Sequence, residues 1–359
     1  MERKESNSGM LELMLQPAFL VKEGEVKKVN AAAEKYFIAP GTPITELLYT
    51  GKTEYEELCS GCLYLTLSVS GVSCAASVRR MDEGDVFILE QEEDQAQLQA
   101  MALAAQELRG PLSNVMTVAD QLFPISEEDA DTQKQVAKIN RGLFQLLRIV
   151  GNMSDAYRYS QQNEPQMAVL DFSALMDELF SKSAELLRHG DTKLFFENLK
   201  QPILGLADRE KLERAVYNII SNAVKFAEKG SSIYARLTCK NNMLYLTVQD
   251  EGKGMEDGLR GNVHTRYRRE PGLEDSRYGI GLGMVMIRTA AAVHGGTVLI
   301  DHPPHCGTRL TMSMAIRQNI EPMVRSGFLR IDYAGERDHA LIELADVLPN
   351  AIFEADQIN

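Results

Sequence analysis

The chain has 359 residues, 44% of them hydrophobic, which allows two or three packed domains and excludes a disordered polypeptide. Its formal net charge of −13 disfavours nucleic-acid binding, because phosphate contacts require clustered lysine and arginine. No apolar run approaches the roughly 20 residues that span a bilayer, and the polar start MERKESNSG is unlike a signal peptide. We therefore expect a cytoplasmic protein without membrane insertion.

Residues 11–91 have the pattern of a small antiparallel β domain. Two apolar runs flank the turn EGE and predict a β-hairpin, after which Asn30 is placed to cap a short helix. Three further strands are predicted over residues 62–70, 73–81 and 85–91. This order of hairpin, helix and later strands resembles a PAS sensor domain.

Residues 92–162 carry two apolar seams with alternating spacings of three and four, separated by the turn-forming sequence PISEEDAD. The first seam comprises Leu98, Met101, Ala105, Leu108, Leu112, Val115, Ala119 and Leu122, and the second comprises Val136, Ile139, Leu143, Leu146, Val150, Met153 and Tyr157. The pattern predicts an antiparallel helical hairpin. Because each seam is apolar over its whole length, we expect two copies to form a four-helix bundle, and hence a homodimer.

After a polar linker, residues 167–316 alternate helices with mostly antiparallel strands, which predicts a two-layer α/β sandwich. Residues 317–359 form a C-terminal extension with one strand-like run, FLRIDYA, and one helix-like run, DHALIELADVL. The sequence assigns no role to this extension. Taken together, the predicted fold class is a multidomain α+β protein.

The run Leu212–Phe226 predicts a helix with one apolar and one polar face. Asn218, Asn222 and Lys225 are four and three residues apart and share the polar face. Two amides and one ammonium group suit a magnesium triphosphate. Two glycine-rich turns follow this helix, DEGKGM at residues 250–255 and GIGLGM at residues 279–284.

These three motifs, in this order, resemble the N, G1 and G2 boxes of bacterial sensor histidine kinases, members of the GHKL ATP-binding superfamily. The resemblance implies that Asn222 binds Mg²⁺ through its amide oxygen and that Lys225 contacts the phosphates of ATP. It also implies that Asp250 accepts a hydrogen bond from the adenine amine. The other ATP-binding positions that it implies are Asn218, Gly252, Gly254, Gly279, Gly281, Leu282 and Gly283.

Asn218 bears on the class of reaction. Hydrolytic relatives such as gyrase and Hsp90 carry a glutamate four residues before the magnesium-binding asparagine, where it activates water. This chain has Asn218 there, and Glu213 lies on another helix face, where we expect a solvated charge. Dedicated ATP hydrolysis is therefore disfavoured relative to phosphoryl transfer or binding alone.

The phosphoacceptor motif of the family, His-Glu-Leu-Arg-x-Pro-Leu, is matched by QELRGPL from Gln106 to Leu112 without its histidine. An amide nitrogen is not nucleophilic, because its lone pair is delocalised, so Gln106 cannot form a phosphohistidine. Glu107, which acts as a base on that histidine in the family, has nothing to deprotonate in this chain. All six histidines of the sequence lie outside the predicted hairpin.

Three functions remain open. The chain is a pseudokinase that binds ATP and passes conformational change to a partner, a kinase that phosphorylates a histidine of a heterodimer partner, or a non-kinase ATPase switch. The first two place it in two-component signal transduction, where a response regulator or another histidine kinase would be its partner.

Overall fold

A computed structural model describes residues 11–12, 14–90, 93–126, 130–160, 165–252, 282–303, 307–317 and 337–354. The strand-like run FLRIDYA lies outside these residues. In the part of the chain that is described, no helix combines the length and the apolar character needed to cross a membrane.

The N-terminal region forms an antiparallel sheet. Its strands are β1 (Ala18–Lys22), β2 (Glu25–Val29), β3 (Cys62–Val69), β4 (Val72–Met81) and β5 (Gly84–Leu89), and its short helices are α1 (Ile44–Leu47) and α2 (Lys52–Glu56). The Asn30 side chain caps the following turn by accepting a hydrogen bond from the Ala33 amide, but the capped segment Ala31–Tyr36 is a 3₁₀ helix. The predicted hairpin and later strands are confirmed, while the PAS assignment stays a prediction.

Two long helices, α3 (Glu93–Ser126) and α4 (Ala130–Ser160), pack together as the predicted hairpin. The hairpin fully buries only alternate positions of each seam, because neighbouring seam positions lie roughly 50° apart around the helix axis and only one of the two packs against the other helix of the pair. The buried half includes Leu98, Ala105, Leu112, Ala119, Val136, Leu143 and Val150. The other half forms an exposed apolar stripe, composed of Leu108, Val115, Leu122, Ile139 and Leu146.

The following region contains the helices α5 (Phe172–Leu187), α6 (Arg209–Phe226) and α7 (Leu282–Val293). Its main sheet contains β7 (Lys193–Glu197), β9 (Ser232–Lys240), β10 (Met243–Asp250), β11 (Val298–Asp301) and β12 (Arg309–Ala315). A separate small sheet is formed by β6 (Ala168–Asp171) and β8 (Leu204–Ala207). Alternate residues of β10, namely Leu244, Leu246 and Val248, are buried beneath the helices. The alternation is typical of a sheet with one face covered by helices.

The N-terminal sheet is continuous with the sheet formed by β7, β9, β10, β11 and β12, which the sequence did not predict. Strand β3 pairs antiparallel with β11, so that Tyr64 lies opposite Val298 and Cys62 opposite Ile300. The result is one ten-stranded sheet in the order β2-β1-β5-β4-β3-β11-β12-β10-β9-β7. Arg288 of α7 reinforces the junction, because it forms an ion pair with Glu90 and lies over the Tyr64 ring.

The described part of the C-terminal extension is integrated into the core. It comprises α8 (His339–Leu344) and a 3₁₀ helix (Asn350–Phe353), which pack against α4, α5 and α6. Asp338 caps α8 by accepting a hydrogen bond from the Ala340 amide. The larger buried apolar side chains of this C-terminal segment are Leu341, Ile342, Leu344, Leu348, Ile352 and Phe353. The helix-like run DHALIELADVL is thus only partly α-helical.

Replacing Phe353 by alanine is expected to lower the free energy of unfolding by about 3–5 kcal/mol, because the fully buried ring packs edge-on against Phe144 with centroids 5.2 Å apart. Urea unfolding measures the change. The control is Phe37→Ala, since Phe37 is 85% exposed and its loss should change stability by less than about 0.5 kcal/mol. Equal unfolding midpoints for the two variants would contradict the packing of the C-terminal segment.

Candidate functional site

Helix α6 carries the predicted polar face. It begins after Asp208, whose side chain accepts a hydrogen bond from the Lys211 amide and forms an ion pair with the Lys211 ammonium. The apolar face is buried as predicted, and it comprises Leu212, Ala215, Val216, Ile219, Ile220 and Ala223. On the polar face Asn218 is buried, whereas Asn222 and Lys225 are half-buried. Within the described residues, the Asn222 amide makes no hydrogen bond.

Asn218 lies where α6 meets the first turn of α7. Its amide nitrogen donates to the Arg214 carbonyl oxygen at 2.8 Å, and its oxygen accepts from Arg148 of α4 at 3.1 Å. A Cβ atom on Gly283 would lie 2.8 Å from the Asn218 oxygen, so only glycine allows this approach without displacement. The structure therefore brings the predicted N-box helix together with Gly283, the last glycine of the second motif. Leu282 is buried beside them.

Asp250 ends β10 and is buried. Its Oδ1 atom accepts hydrogen bonds from the amides of Gly252 at 2.8 Å and Thr308 at 3.1 Å. In the described parts of the chain, no hydrogen bond reaches Oδ2. Burial raises the pKa of Asp250, and the two amide hydrogen bonds oppose that rise. Within the described residues, the backbone thus fixes one carboxylate oxygen of Asp250 and supplies no donor to the other, which is an acceptor of the kind that a ligand amine needs.

The first glycine turn approaches the end of α6. A Cβ atom on Gly252 would lie 2.1 Å from the Phe226 carbonyl oxygen, which places Asp250 and Lys225 on neighbouring segments. The other predicted glycines, Gly254, Gly279 and Gly281, lie outside the described residues.

Lys225 has a partner that the sequence did not predict. Its ammonium group forms an ion pair with Asp346 at 2.6 Å, and Arg148 binds the same carboxylate oxygen at 2.5 Å. Burial lowers the pKa of Lys225, the nearby Arg148 lowers it further, and Asp346 opposes both effects. The C-terminal segment therefore contacts the predicted phosphate-binding lysine.

Further buried charges surround this contact. Arg214 of α6 forms ion pairs with Asp155 of α4 at 3.0 Å and with Glu343 of α8 at 3.3 Å. Glu343 also lies 3.4 Å from Arg148. A sequence signal existed for the α4 side, because Arg141, Gln145 and Arg148 recur at helical spacing and bind the C-terminal segment.

Glu213 corrects one expectation. We expected a solvated charge, but the residue is 4% exposed and its carboxylate accepts from Arg209 Nε at 2.6 Å. The expectation was wrong because a packed helix covers this face of α6. Its carboxylate is therefore the buried partner in an ion pair with the partly exposed Arg209.

Gln106 and Glu107 are both exposed on α3, next to the buried Ala105. In the described residues, neither forms a hydrogen bond or ion pair with the polar face of α6 or with Asp250. The neighbouring Arg109 instead ties α3 to α4 through a 2.7 Å hydrogen bond to Ser154. Position 106 is thus accessible.

His294 connects the end of α7 to the start of α6. Its Nε2 atom accepts a hydrogen bond from the Asp208 amide at 3.0 Å, so Nδ1 carries the proton that is donated to the Ala290 carbonyl oxygen at 2.7 Å. Burial lowers the pKa of His294 from 6.5 to about 4. A neutral imidazole therefore helps to hold the two site helices in register.

Comparison with known proteins identifies the region that holds these residues. Residues 207–318 match the family "Histidine kinase-, DNA gyrase B-, and HSP90-like ATPase". The histidine protein kinase DivJ of Caulobacter vibrioides is 29% identical over 252 residues, which cover 64% of this chain and 40% of DivJ. The sensor histidine kinase WalK of Bacillus subtilis is 26% identical over 247 residues, covering 65% of this chain and 39% of WalK.

A solved structure, full-length ShkA in complex with AMPPNP, aligns with a TM-score of 0.50 at 20% identity, covering 63% of this chain and 47% of ShkA. At that identity the likeness concerns the fold alone. The chain spans less than half the length of the curated relatives that it matches.

Replacing His294 by glutamine is expected to flatten the dependence of stability on pH between 6.5 and about 4. In this interval the unfolded chain binds a proton at His294 and the folded chain does not, so acidification favours unfolding by up to about 1.4 kcal/mol per pH unit. Glutamine keeps an acceptor for the Asp208 amide but does not titrate. Urea midpoints measured across this range should show the smaller slope only for His294→Gln, and the exposed His189→Gln should retain the wild-type slope. Identical slopes would contradict the assignment.

Proposed function

Because the chain is a sensor-histidine-kinase-like protein of the GHKL ATPase superfamily, we propose that it binds Mg-ATP and acts in two-component signal transduction. The observation that carries the ATP-binding proposal is the environment of Asp250. Its buried carboxylate lies beside the end of α6 and has one oxygen fixed by two backbone amides, while the other oxygen receives no hydrogen bond from the part of the chain that the structure describes. Such an acceptor selects an exocyclic amine, which adenine has at the position where guanine has a carbonyl oxygen.

The polar face of α6 fits the remainder of the ligand. Lys225 supplies a positive charge for the phosphates, and Asn222 supplies a half-buried amide oxygen, a ligand type that Mg²⁺ accepts. A bound Mg²⁺ would neutralise part of the triphosphate charge. In this proposal, Gly252, Gly254, Gly279, Gly281 and Gly283 allow the backbone to approach the nucleotide.

Autophosphorylation is not part of the proposed activity. Gln106 occupies the position of the family's phosphoacceptor histidine, is accessible, and has no nucleophilic nitrogen. Glu107 is then a surface charge without a catalytic task. The chain accordingly acts as a pseudokinase, with the PAS-like region of residues 11–91 as the sensor.

Two alternatives use the same site. A kinase acting in trans would transfer the phosphoryl group to a histidine of a partner kinase, which requires an intact ATP site and no acceptor in this chain. A non-kinase ATPase switch would need a base near the phosphates. Asn218 argues against it, since an amide cannot activate water and this one is engaged by Arg148.

The proposed partners follow from the hairpin. Its exposed apolar stripe supports a homodimer through residues 92–162, because a second copy would bury the uncovered half of each seam. A response regulator or a partner histidine kinase would then receive the signal.

Replacing Asp250 by asparagine is expected to weaken ATP binding by roughly tenfold to a hundredfold and to reduce the preference for ATP over GTP. The asparagine oxygen can still accept from the two backbone amides, which would turn its NH₂ group toward the adenine amine. Calorimetric titration with Mg-AMPPNP and Mg-GTP measures both effects. The exposed Asp82→Asn is the charge-matched control. Equal affinities for all three proteins would contradict the proposed adenine site.

The acceptor position is tested by Gln106→His, which is expected to restore acid-labile labelling by γ-labelled ATP if the remaining machinery is competent. Wild type and Gln99→His should stay unlabelled, since Gln99 lies two helical turns earlier on α3 and is also exposed. Robust labelling of wild type would contradict the pseudokinase. To test the trans-acting alternative, wild type is mixed with a Gln106→His chain that also carries Asn222→Ala. Label on the double variant would favour that alternative.

A further inference from the structure

The strongest observation outside the predicted motifs is a carboxylate between two site cations. Oδ2 of Asp346 contacts both Lys225 Nζ at 2.6 Å and Arg148 Nη1 at 2.5 Å. The other terminal nitrogen of Arg148 donates to Asn218. One arginine of the hairpin thus links the C-terminal segment to the polar face of α6.

Asp346 is held in this position by the segment that carries it. Arg141 of α4 donates to the carbonyl oxygens of Ala345 at 3.2 Å and Asp346 at 3.1 Å. Apolar side chains on both sides of Asp346, such as Leu344 and Leu348, are fully buried. The carboxylate is therefore presented by a packed element.

The buried charges around Asp346 are balanced. Three cations, Arg148, Arg214 and Lys225, face three carboxylates, Asp155, Glu343 and Asp346. Buried ions are costly unless they are paired, so Lys225 and Arg148 need an anion at this point. An oxygen of a nucleotide phosphate is an anion of suitable chemistry for the same two cations.

We propose that Asp346 competes with nucleotide phosphate for Lys225 and Arg148, and that the C-terminal segment of residues 337–354 thereby regulates the nucleotide site. This inference rests on the proposed ATP site, because it requires the triphosphate to lie along the polar face of α6. It adds Arg148 as a phosphate-binding residue contributed by the hairpin. It also gives the C-terminal segment an inhibitory role.

The competition is reciprocal. If the docked segment lowers the affinity for a triphosphate, the triphosphate loosens the docked segment by the same factor. Asp346 lowers the affinity only of ligands that carry the distal phosphates, because it contacts Lys225, the proposed phosphate-binding residue, and not Asp250, the proposed adenine-binding residue. The α4 surface that holds the segment belongs to the hairpin, so in this proposal nucleotide binding changes a contact on helix α4.

The test compares Asp346→Asn with wild type in calorimetric titrations with Mg-AMPPNP and with adenosine. We expect Mg-AMPPNP to bind the variant at least about fivefold more tightly, a typical lower bound for coupling between sites, and adenosine to bind both proteins equally. Glu354→Gln is the matched control, since it removes a charge from the same segment at a side chain without an ion pair among the described residues. It should keep the wild-type affinity.

Equal binding of Mg-AMPPNP to wild type and Asp346→Asn would overturn the inference and leave the proposed function intact. If Mg-AMPPNP binds neither wild type nor Asp346→Asn nor Glu354→Gln, the proposed function is wrong and the inference fails with it. Hydrogen exchange of wild type provides a measurement that does not depend on the variant's folding. Amides of residues 345–348 should exchange faster with Mg-AMPPNP than with adenosine, and unchanged exchange would also overturn the competition.

Discussion

The pairing of buried charges between α4, α6 and α8 is the constraint on which the arrangement of the site depends. An arginine or a carboxylate removed from water is stable only with a partner of opposite charge. Arg148 and Arg214 come from different helices, and their partners come from the hairpin and from the C-terminal segment. The three parts of the chain are therefore fixed relative to one another by side chains that cannot separate without leaving unpaired charge.

The proposed nucleotide site is assembled by close approaches as much as by functional groups. Gly283 allows α7 to reach Asn218, and Gly252 allows the turn after β10 to reach the end of α6. A Cβ atom at position 252 would force the turn away from the backbone of Phe226, and one at position 283 would displace the Asn218 side chain. At these two positions the absence of a Cβ atom is what allows the close contacts, so the glycine motifs and the polar residues of α6 belong to one site.

Most secondary-structure elements could be predicted from the sequence, because the periodicity of apolar residues and the capping of helices are local properties. The hairpin of helices, the strands of both sheets and the polar face of α6 follow from apolar spacing, and the Asn30 cap follows from residue type. The pairing of β3 with β11 and the docking of α8 on α4 and α6 could not be predicted, because they join segments more than 100 residues apart. Glu213 was misread for the same reason, since its burial depends on neighbours distant in sequence. In the site, the roles of the motif residues rest on resemblance. For Arg148 the sequence offers only its helical spacing with Arg141 and Gln145, and Asp346 could be found only from its contacts with Lys225 and Arg148.

The pairing of β3 with β11 has a consequence for how the sheet meets solvent. An uncovered strand presents a row of unpaired backbone groups that can recruit a strand from another molecule. The outer strands of the ten-stranded sheet, β2 and β7, carry exposed lysines and glutamates, which discourage such recruitment. Strand β11, with the sequence VLID, has no comparable protection. Covering by β3 therefore shields the ATP-binding region from edge-to-edge association, and a fragment that lacks the first 90 residues would expose this strand.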